Sequence, residues 1–261
     1  MKKMIIILLL AVAATSCKKE RYRNPEPCPT DLNVLNYVQR YYDDGTYYTE
    51  NYTYDYNLRL AKSEHRNQAG ALLSSLEYHY SNGLLTGVTL NSSAKKVAEH
   101  NYYYAGTGKP AKFEYLEYDT SNILKLVFEQ LYEYNNQGQI IKTTVNHYNG
   151  FPSYYTTSSY SNGNLTGQKQ YSLPGGALTT EFVYEYDNKA NPYYRQVGPA
   201  LDNARYYSKN NITRVANITA GSGAVTELVT EYEYRDNLWP VKSYYRYNSG
   251  TKTLGTVYFY K

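Results

Sequence analysis

Leu131-Tyr132-Glu133-Tyr134-Asn135-Asn136-Gln137-Gly138-Gln139-Ile140-Ile141 is the stretch that decides the fold. Tyr132 and Tyr134 are two apart, so on an extended strand they share one face, while Leu131 and Glu133 share the other. Asn135-Asn136-Gln137-Gly138 follows. Asn and Gly tolerate positive φ, and such a cluster between two β-prone runs reads as a chain reversal. Ile140, Ile141, Thr143, Thr144 and Val145 supply β-branched residues for a return strand.

The same pattern recurs along the chain. Copies end on Tyr54, Tyr80, Tyr104, Tyr134, Tyr160, Tyr186, Tyr207 and Tyr234, and Tyr258-Phe259-Tyr260 is a half copy. The spacing runs from 21 to 30 residues and is 26 in four of the eight gaps. A near-constant period of this length marks a repeat architecture, each unit holding two strands and two turns. The expectation is an all-β antiparallel meander of about sixteen to eighteen strands over residues 32–261. Twist accumulates across so many strands and exposed edges invite aggregation, so the sheet should roll or close into a wide soluble barrel. An open spiral sheet is the alternative. No helix is expected beyond the leader; the best candidate, Ala69 to Leu76, is short and runs into a Tyr strand.

Tyr accounts for 36 of the 261 residues. Leu, Ile, Val and Phe together make up only about 18% of residues 17–261. So lean a composition suggests disorder only when net charge is high. Here 25 Lys and Arg face 23 acids once Lys2 and Lys3 leave with the leader. A Tyr ring can bury about 150–250 Å² and keep its hydroxyl near water. Rings from successive hairpins are therefore expected to stack in continuous rows that replace an oily interior. The balanced charge excludes a basic face for nucleic acid. Polar residues occupy both strand phases and the last residue is Lys261, which argues against a lipid-facing apolar band.

Residues 1–16 have the three-part layout of a signal peptide: the basic head Met1-Lys2-Lys3, an apolar run from Met4 to Ala14, then Thr15-Ser16. The run is too short to span a bilayer, which takes about 20 residues. Ala14-Thr15-Ser16-Cys17 resembles the lipobox of bacterial lipoproteins, with Ala14 where an aliphatic residue is usual. The resemblance implies cleavage before Cys17, acylation of Cys17 and a membrane partner through the acyl chains. Lys18-Lys19-Glu20 is similar to the segment that sends Bacteroidota-type lipoproteins to the cell surface, with one acid in place of two; the inner leaflet of the outer membrane stays open. Residues 17–31 form a tether stiffened by Pro25, Pro27 and Pro29. Cys28 reads as incidental.

The unit Tyr132-Glu133-Tyr134-Asn135-Asn136-Gln137-Gly138-Gln139-Ile140 resembles the YD repeat of Rhs-type proteins, and Tyr160-Ser161-Asn162-Gly163-Asn164-Leu165 is a shortened copy. The repeat grammar also resembles a family of uncharacterised Bacteroidota lipoproteins with a porin-like barrel fold. That likeness implies a barrel at the outer membrane and brings no activity with it. The chain leaves no room for the toxin that full Rhs proteins enclose.

No catalytic signature emerges. His65, His79, His100 and His147 have no metal-ligand spacing, and no cofactor is expected. Glu133, Glu185, Asp187 and Asp236 are dispersed at hairpin positions, and only convergence in space would pair them. The Asp/Asn-Gly turns lack the run of acids a Ca²⁺ loop needs. Trp239, the sole Trp, precedes Pro240 in a turn, either as a sugar platform or, the favoured reading, as a packed hairpin residue. Three functions stay in play: a lipid-anchored, non-catalytic binding or structural module, whose partner is a glycan or another envelope protein; a glycan hydrolase with carboxylates meeting in the lumen; and an Rhs-like encapsulation remnant.

Overall fold

The structure is a computed structural model that describes residues 34–93, 95–106, 108–194, 204–236 and 238–261. Cys17, the tether and Cys28 lie outside the described residues. Sixteen strands follow in order: β1 Leu35–Tyr41, β2 Tyr47–Tyr54, β3 Leu60–Asn67, β4 Leu72–Ser81, β5 Leu84–Ser92, β6 Lys95–Tyr104, β7 Pro110–Tyr118 and β8 Leu124–Tyr134. The second half comprises β9 Ile140–His147, β10 Tyr154–Ser161, β11 Asn164–Ser172, β12 Leu178–Ala190, β13 Asn210–Thr219, β14 Val225–Arg235, β15 Trp239–Tyr247 and β16 Thr253–Tyr260. Every strand pairs antiparallel with its sequence neighbours, and β16 pairs with β1, closing the barrel.

The repeat dictates each hairpin. At Asn82-Gly83 and Asn162-Gly163 both residues have positive φ, the two-residue turn that matches strand twist. In the longer turns, Asp55 Oδ1 accepts the N–H groups of Asn57 and Arg59, and Asn135 Oδ1 accepts those of Gln137 and Gln139. Just before each of these turns the register slips by one residue, which leaves Tyr54 opposite Leu60, Tyr80 opposite Leu85 and Tyr134 opposite Ile140. Such bulges add twist and bend, which a closing sheet needs. The seam repeats the pattern: Tyr260 lies opposite Leu35, with a register slip beside Leu35. The half copy at 258–260 thus finds its missing half in β1.

The expected rows of stacked rings are not what links the repeats. Hydroxyls do it. The second Tyr of each pair donates to a carbonyl at the start of the preceding strand: Tyr54 to Leu35 at 2.9 Å, Tyr80 to Leu60 at 2.9 Å, Tyr104 to Leu85 at 2.8 Å and Tyr134 to Pro110 at 2.7 Å. Tyr160 to Ile140, Tyr186 to Leu165 and Tyr260 to Pro240 continue the belt. In β14 the donor is Tyr232, to Ile212 at 3.0 Å, because the Tyr234 hydroxyl is taken by Asp187. The cause is spacing: a Tyr centroid at a neighbouring repeat is two strands away, about 10 Å, too far to stack. A hydroxyl at the end of the ring reaches across one strand instead.

The first Tyr of the pair fills the interior. Tyr52, Tyr102, Tyr132 and Tyr258 are buried beside Leu35, Leu60, Leu85 and Ile140. The outer face carries charge in register. Lys142 meets Glu133 at 2.7 Å, Lys112 meets Glu114 at 2.7 Å, Lys252 meets Glu231 at 2.6 Å, and Arg214 bridges Glu185 and Glu227.

Two expectations need correction here. Tyr206-Tyr207 is not a hairpin copy: it belongs to a short helix, α1 (Ala204–Tyr207), on an insert between β12 and β13. The break is physical, since nineteen residues separate Ala190 from Asn210 where other belt turns need two to five. Trp239 is not in a turn. It opens β15, half-buried against Tyr260 at 5.9 Å.

Candidate functional site

The described ends of the insert between β12 and β13, residues 191–194 and 204–209, reach into the barrel and are pinned by side chains. Asn191 Nδ2 donates to the carbonyls of Arg205 (2.5 Å) and Ser208 (2.8 Å), while its Oδ1 accepts the Tyr193 N–H at 3.0 Å. The Ser208 hydroxyl donates to the Tyr186 hydroxyl and accepts the Leu165 N–H, which ties the insert to the tyrosine belt. Tyr193 is 5% exposed and packs with Leu35, Val38, Tyr52, Leu60 and Tyr258. Tyr206 joins the same cluster, and Tyr207 packs against the one around Val88, Tyr102 and Phe113. Tyr193, Tyr206 and Tyr207 thereby fill the belt end of the lumen.

Among the described residues lie two cavities, of about 680 Å³ and 420 Å³. Arg40, Tyr48, Tyr193 and Arg205 line both and form the partition. The larger cavity runs towards the end away from the belt, past Tyr41, Tyr42, Tyr245 and Tyr247. The smaller lies against Glu50, Tyr52, His65, Tyr78 and Tyr206.

The partition concentrates charge. Arg40 donates Nε–H to Glu50 at 3.1 Å and Nη2–H to the Tyr193 hydroxyl at 3.2 Å; its Nη1 donates to no described residue. Arg205 Cζ lies 4.9 Å from the Tyr193 ring centroid and Arg40 Cζ lies 5.7 Å from it. One phenol thus holds two guanidiniums by cation–π attraction. Burial and the Arg40 charge both work against ionised Arg205, but neighbouring phenols keep its pKa raised. Burial also opposes the charge on Glu50. His65, 3.6 Å away, and Arg40 outweigh that and bring its pKa down to about 2.

Behind the wall of the smaller cavity lies one unsatisfied group. Tyr52 is 6% exposed and its hydroxyl has no hydrogen-bond partner among the described residues. Buried polar atoms are normally paired, and this one is sealed from the cavity as well as from solvent, so it costs stability and offers a ligand no contact.

The residues singled out in the sequence do not converge. His65 is at the Glu50 site, and its Nδ1 lies 3.3 Å from the Ser74 hydroxyl. His79 faces out, bonded to Thr89. His100 stacks edge-on to Phe113 and Tyr115, and His147 sits between Phe128 and Tyr154. Glu133 and Glu185 belong to the outer ion pairs, and Asp187 holds Asn211 and Tyr234. Among the described residues no three His, Cys, Asp or Glu gather as metal ligands would. The residues that build the site, Arg40, Glu50, Tyr193 and Arg205, carry no motif. One signal pointed to them: Glu50 shares the strand phase of Tyr48, Tyr52 and Tyr54 in β2, while Arg40 lies on the phase of Val38 in β1.

No protein-family model matches the chain, and no curated protein matches it. Solved structures do. A porin-like protein from Bacteroides uniformis aligns with a TM-score of 0.54 at 12% identity, over 87% of this chain and 96% of its own. A porin-like protein from Bacteroides vulgatus aligns with a TM-score of 0.56 at 10% identity, over 87% of this chain and 99% of its own. A chain in a TcdB2-TccC3-Cdc42 structure covers 83% of this chain and 12% of that one at 15% identity, and its TM-score of 0.35 carries no argument. These likenesses are to the fold.

Proposed function

We propose that this chain is a non-catalytic binding module of the bacterial outer membrane, tethered by acyl chains on Cys17, whose lumen takes a hydroxyl-rich ligand of the glycan class. The observation that carries the reading is the preformed lumen: two cavities of about 680 and 420 Å³ with many tyrosines in their walls. Cavities of about 300–1,000 Å³ suit small ligands, and aromatic walls with a few fixed polar groups give orientation. The porin-like neighbours support an envelope setting. The outer ion-pair lattice supports a barrel standing in water. A Lys or Arg facing lipid at mid-bilayer costs about 2–4 kcal/mol, and here such residues sit on many strands.

The rival readings have less behind them. Glycoside hydrolysis needs two carboxyl groups about 5–9.5 Å apart across the bond. Glu50 is the one carboxylate among the described residues lining the cavities, and it is already engaged by Arg40 and His65. An encapsulation role needs room for a folded cargo, and cavities of this size hold only a small molecule.

The test is calorimetric titration of the full chain with a panel of oligosaccharides, alongside product analysis of each mixture. Saturable binding without turnover supports the reading. Binding to none of them, or turnover of any, overturns it.

A further inference from the structure

We propose that the belt end of the barrel rests on the bilayer with the tips of Tyr56, Leu58 and Leu238 in the headgroup region, so that the end with the larger cavity faces away from the membrane; this rests on the acyl tether proposed above. Among the described residues these three are the exposed large apolar side chains of the belt-end turns, at 93%, 52% and 60% exposure. They are not scattered. In the barrel order β3-β2-β1-β16-β15-β14, the β2–β3 turn carries Tyr56 and Leu58, and the β14–β15 turn carries Leu238. Between them lie the first and last described residues, where the Lys261 N–H donates to the Val34 carbonyl at 3.0 Å. The arc covers four strand spacings, about 20 Å. Residue 34, where the tether joins the barrel, therefore sits in the middle of it. The other belt-end turns, 82–83, 105–109, 135–139 and 162–163, expose no large apolar side chain among the described residues.

Leu58 carries a second, independent signal. Asp55 to Arg59 and Asn135 to Gln139 form the same turn. In each, the first side chain accepts the N–H groups two and four residues on, and the first carbonyl accepts the N–H three residues on. The fourth position is Gly138 at φ +80° in one turn and Leu58 at φ +60° in the other. At such φ a Cβ crowds the backbone, and glycine is the residue without that cost. Leu58 is thus strained and half in water at once, and strained residues concentrate where function holds them. Neither Tyr56, Leu58 nor Leu238 lines a cavity, so the lumen has no use for them. A lipid interface accounts for all three. It buries the leucine tips and takes a tyrosine ring with its hydroxyl among the headgroups. The far end exposes apolar groups as well, but Tyr42 and Tyr247 there line the larger cavity. Phe151, exposed on the β9–β10 turn of that end, serves as the opposing probe.

The experiment places the acylated protein in phosphatidylcholine vesicles and reads Trp239, the sole Trp, which follows Leu238 directly. Lipid brominated near the headgroup end of its acyl chains is expected to lower Trp239 emission roughly twofold or more. In a Trp239→Phe background, a Phe151→Trp probe at the far end is expected to stay unquenched. The triple variant Tyr56→Ser/Leu58→Gly/Leu238→Ser is expected to float with the vesicles through its tether and to lose the quenching of Trp239 by roughly threefold. Its Tm is expected to be unchanged or higher, because Gly takes φ +60° freely, and this separates a lipid contact from a packing role. An unquenched Trp239, a quenched probe at 151, or a triple variant quenched like the parent overturns the orientation and leaves the tether standing. Parent protein that does not float with the vesicles overturns the tether and the orientation together.

Discussion

Replacing Tyr104 with Phe removes one oxygen atom and leaves the ring, the strand and the bulge in place. That oxygen donates to the Leu85 carbonyl at 2.8 Å, and Leu85 is only 4% exposed. The net worth of such a bond is about 1 kcal/mol, and a buried acceptor left unpaired raises the cost to about 1–3 kcal/mol. For a domain of this size 1 kcal/mol moves Tm by about 2–4 °C. The belt makes a stronger form of the test. Tyr54, Tyr80, Tyr104 and Tyr160 each donate one such bond, to Leu35, Leu60, Leu85 and Ile140. Sites this far apart add, so the fourfold Phe variant should lose about 4–12 kcal/mol, comparable with the 5–15 kcal/mol that holds a typical domain together. Tyr103→Phe is the control: its hydroxyl meets Glu114 on the outer face, at 44% exposure, and its loss should cost under about 0.5 kcal/mol. The assay is urea unfolding followed by tyrosine fluorescence and by circular dichroism, fitted for midpoint and slope. If the fourfold variant unfolds within about 1 kcal/mol of the parent, or no earlier than Tyr103→Phe, the belt does not hold the barrel and the reasoning fails.

Acid should destabilise the fold in two steps. Burial holds His100 at about 4, below its ordinary 6.5, so the unfolded chain takes up that proton first; stability is full above about pH 6.5 and falls by about 3 kcal/mol towards pH 4. Glu50, held at about 2, adds a second loss between about pH 4.5 and 2. Urea midpoints across pH should show His100→Leu abolishing the upper step and keeping the lower, and a variant with both steps intact contradicts the assignment. Gly83 has φ +80° with nothing within 4 Å of an added Cβ, so Gly83→Ala should cost about 1 kcal/mol from backbone strain alone, read as a midpoint shift with no change in slope. Cys17→Ala should release the protein from the membrane fraction and end metabolic labelling with palmitate; retention in membranes would remove the lipid anchor from the account.

How far the sequence could be read depended on what each residue had to do. Strand number was legible because Tyr-x-Tyr followed by Asn or Asp and Gly encodes a local event, two strand ends and a turn, within about ten residues. Asn82-Gly83 and Asn162-Gly163 adopt the positive φ that those residue types permit. The linkage between repeats was misjudged because it is non-local. Tyr132 and Tyr134 were expected to stack with their counterparts, and only the register shows Tyr134 reaching the Pro110 carbonyl instead. Tyr206-Tyr207 imitates the repeat in composition, but the preceding Asn191-Pro192 and the long interval place it on a helix inside the lumen. Arg40 and Glu50 were invisible as a pair. Each is an ordinary polar residue on its own strand, and their meeting follows from the register that sets Arg40 beside Tyr48 and Val38 opposite Glu50. Arg205 joins them through the insert, which no periodicity describes.

Whether β16 joins β1 as one more hairpin decides whether there is a lumen at all. The direct measurement is a disulfide across that seam, between Gln39→Cys and Val257→Cys in a chain whose Cys17 and Cys28 are both replaced by Ala. Residues 39 and 257 are opposed in the register, and directly opposed antiparallel residues have Cα atoms about 4.5–5.5 Å apart, within disulfide reach. Closure predicts rapid, quantitative, intramolecular bond formation in the native protein and none in urea. An open spiral sheet, with its first and last strands apart, would give free thiols or crosslinked dimers.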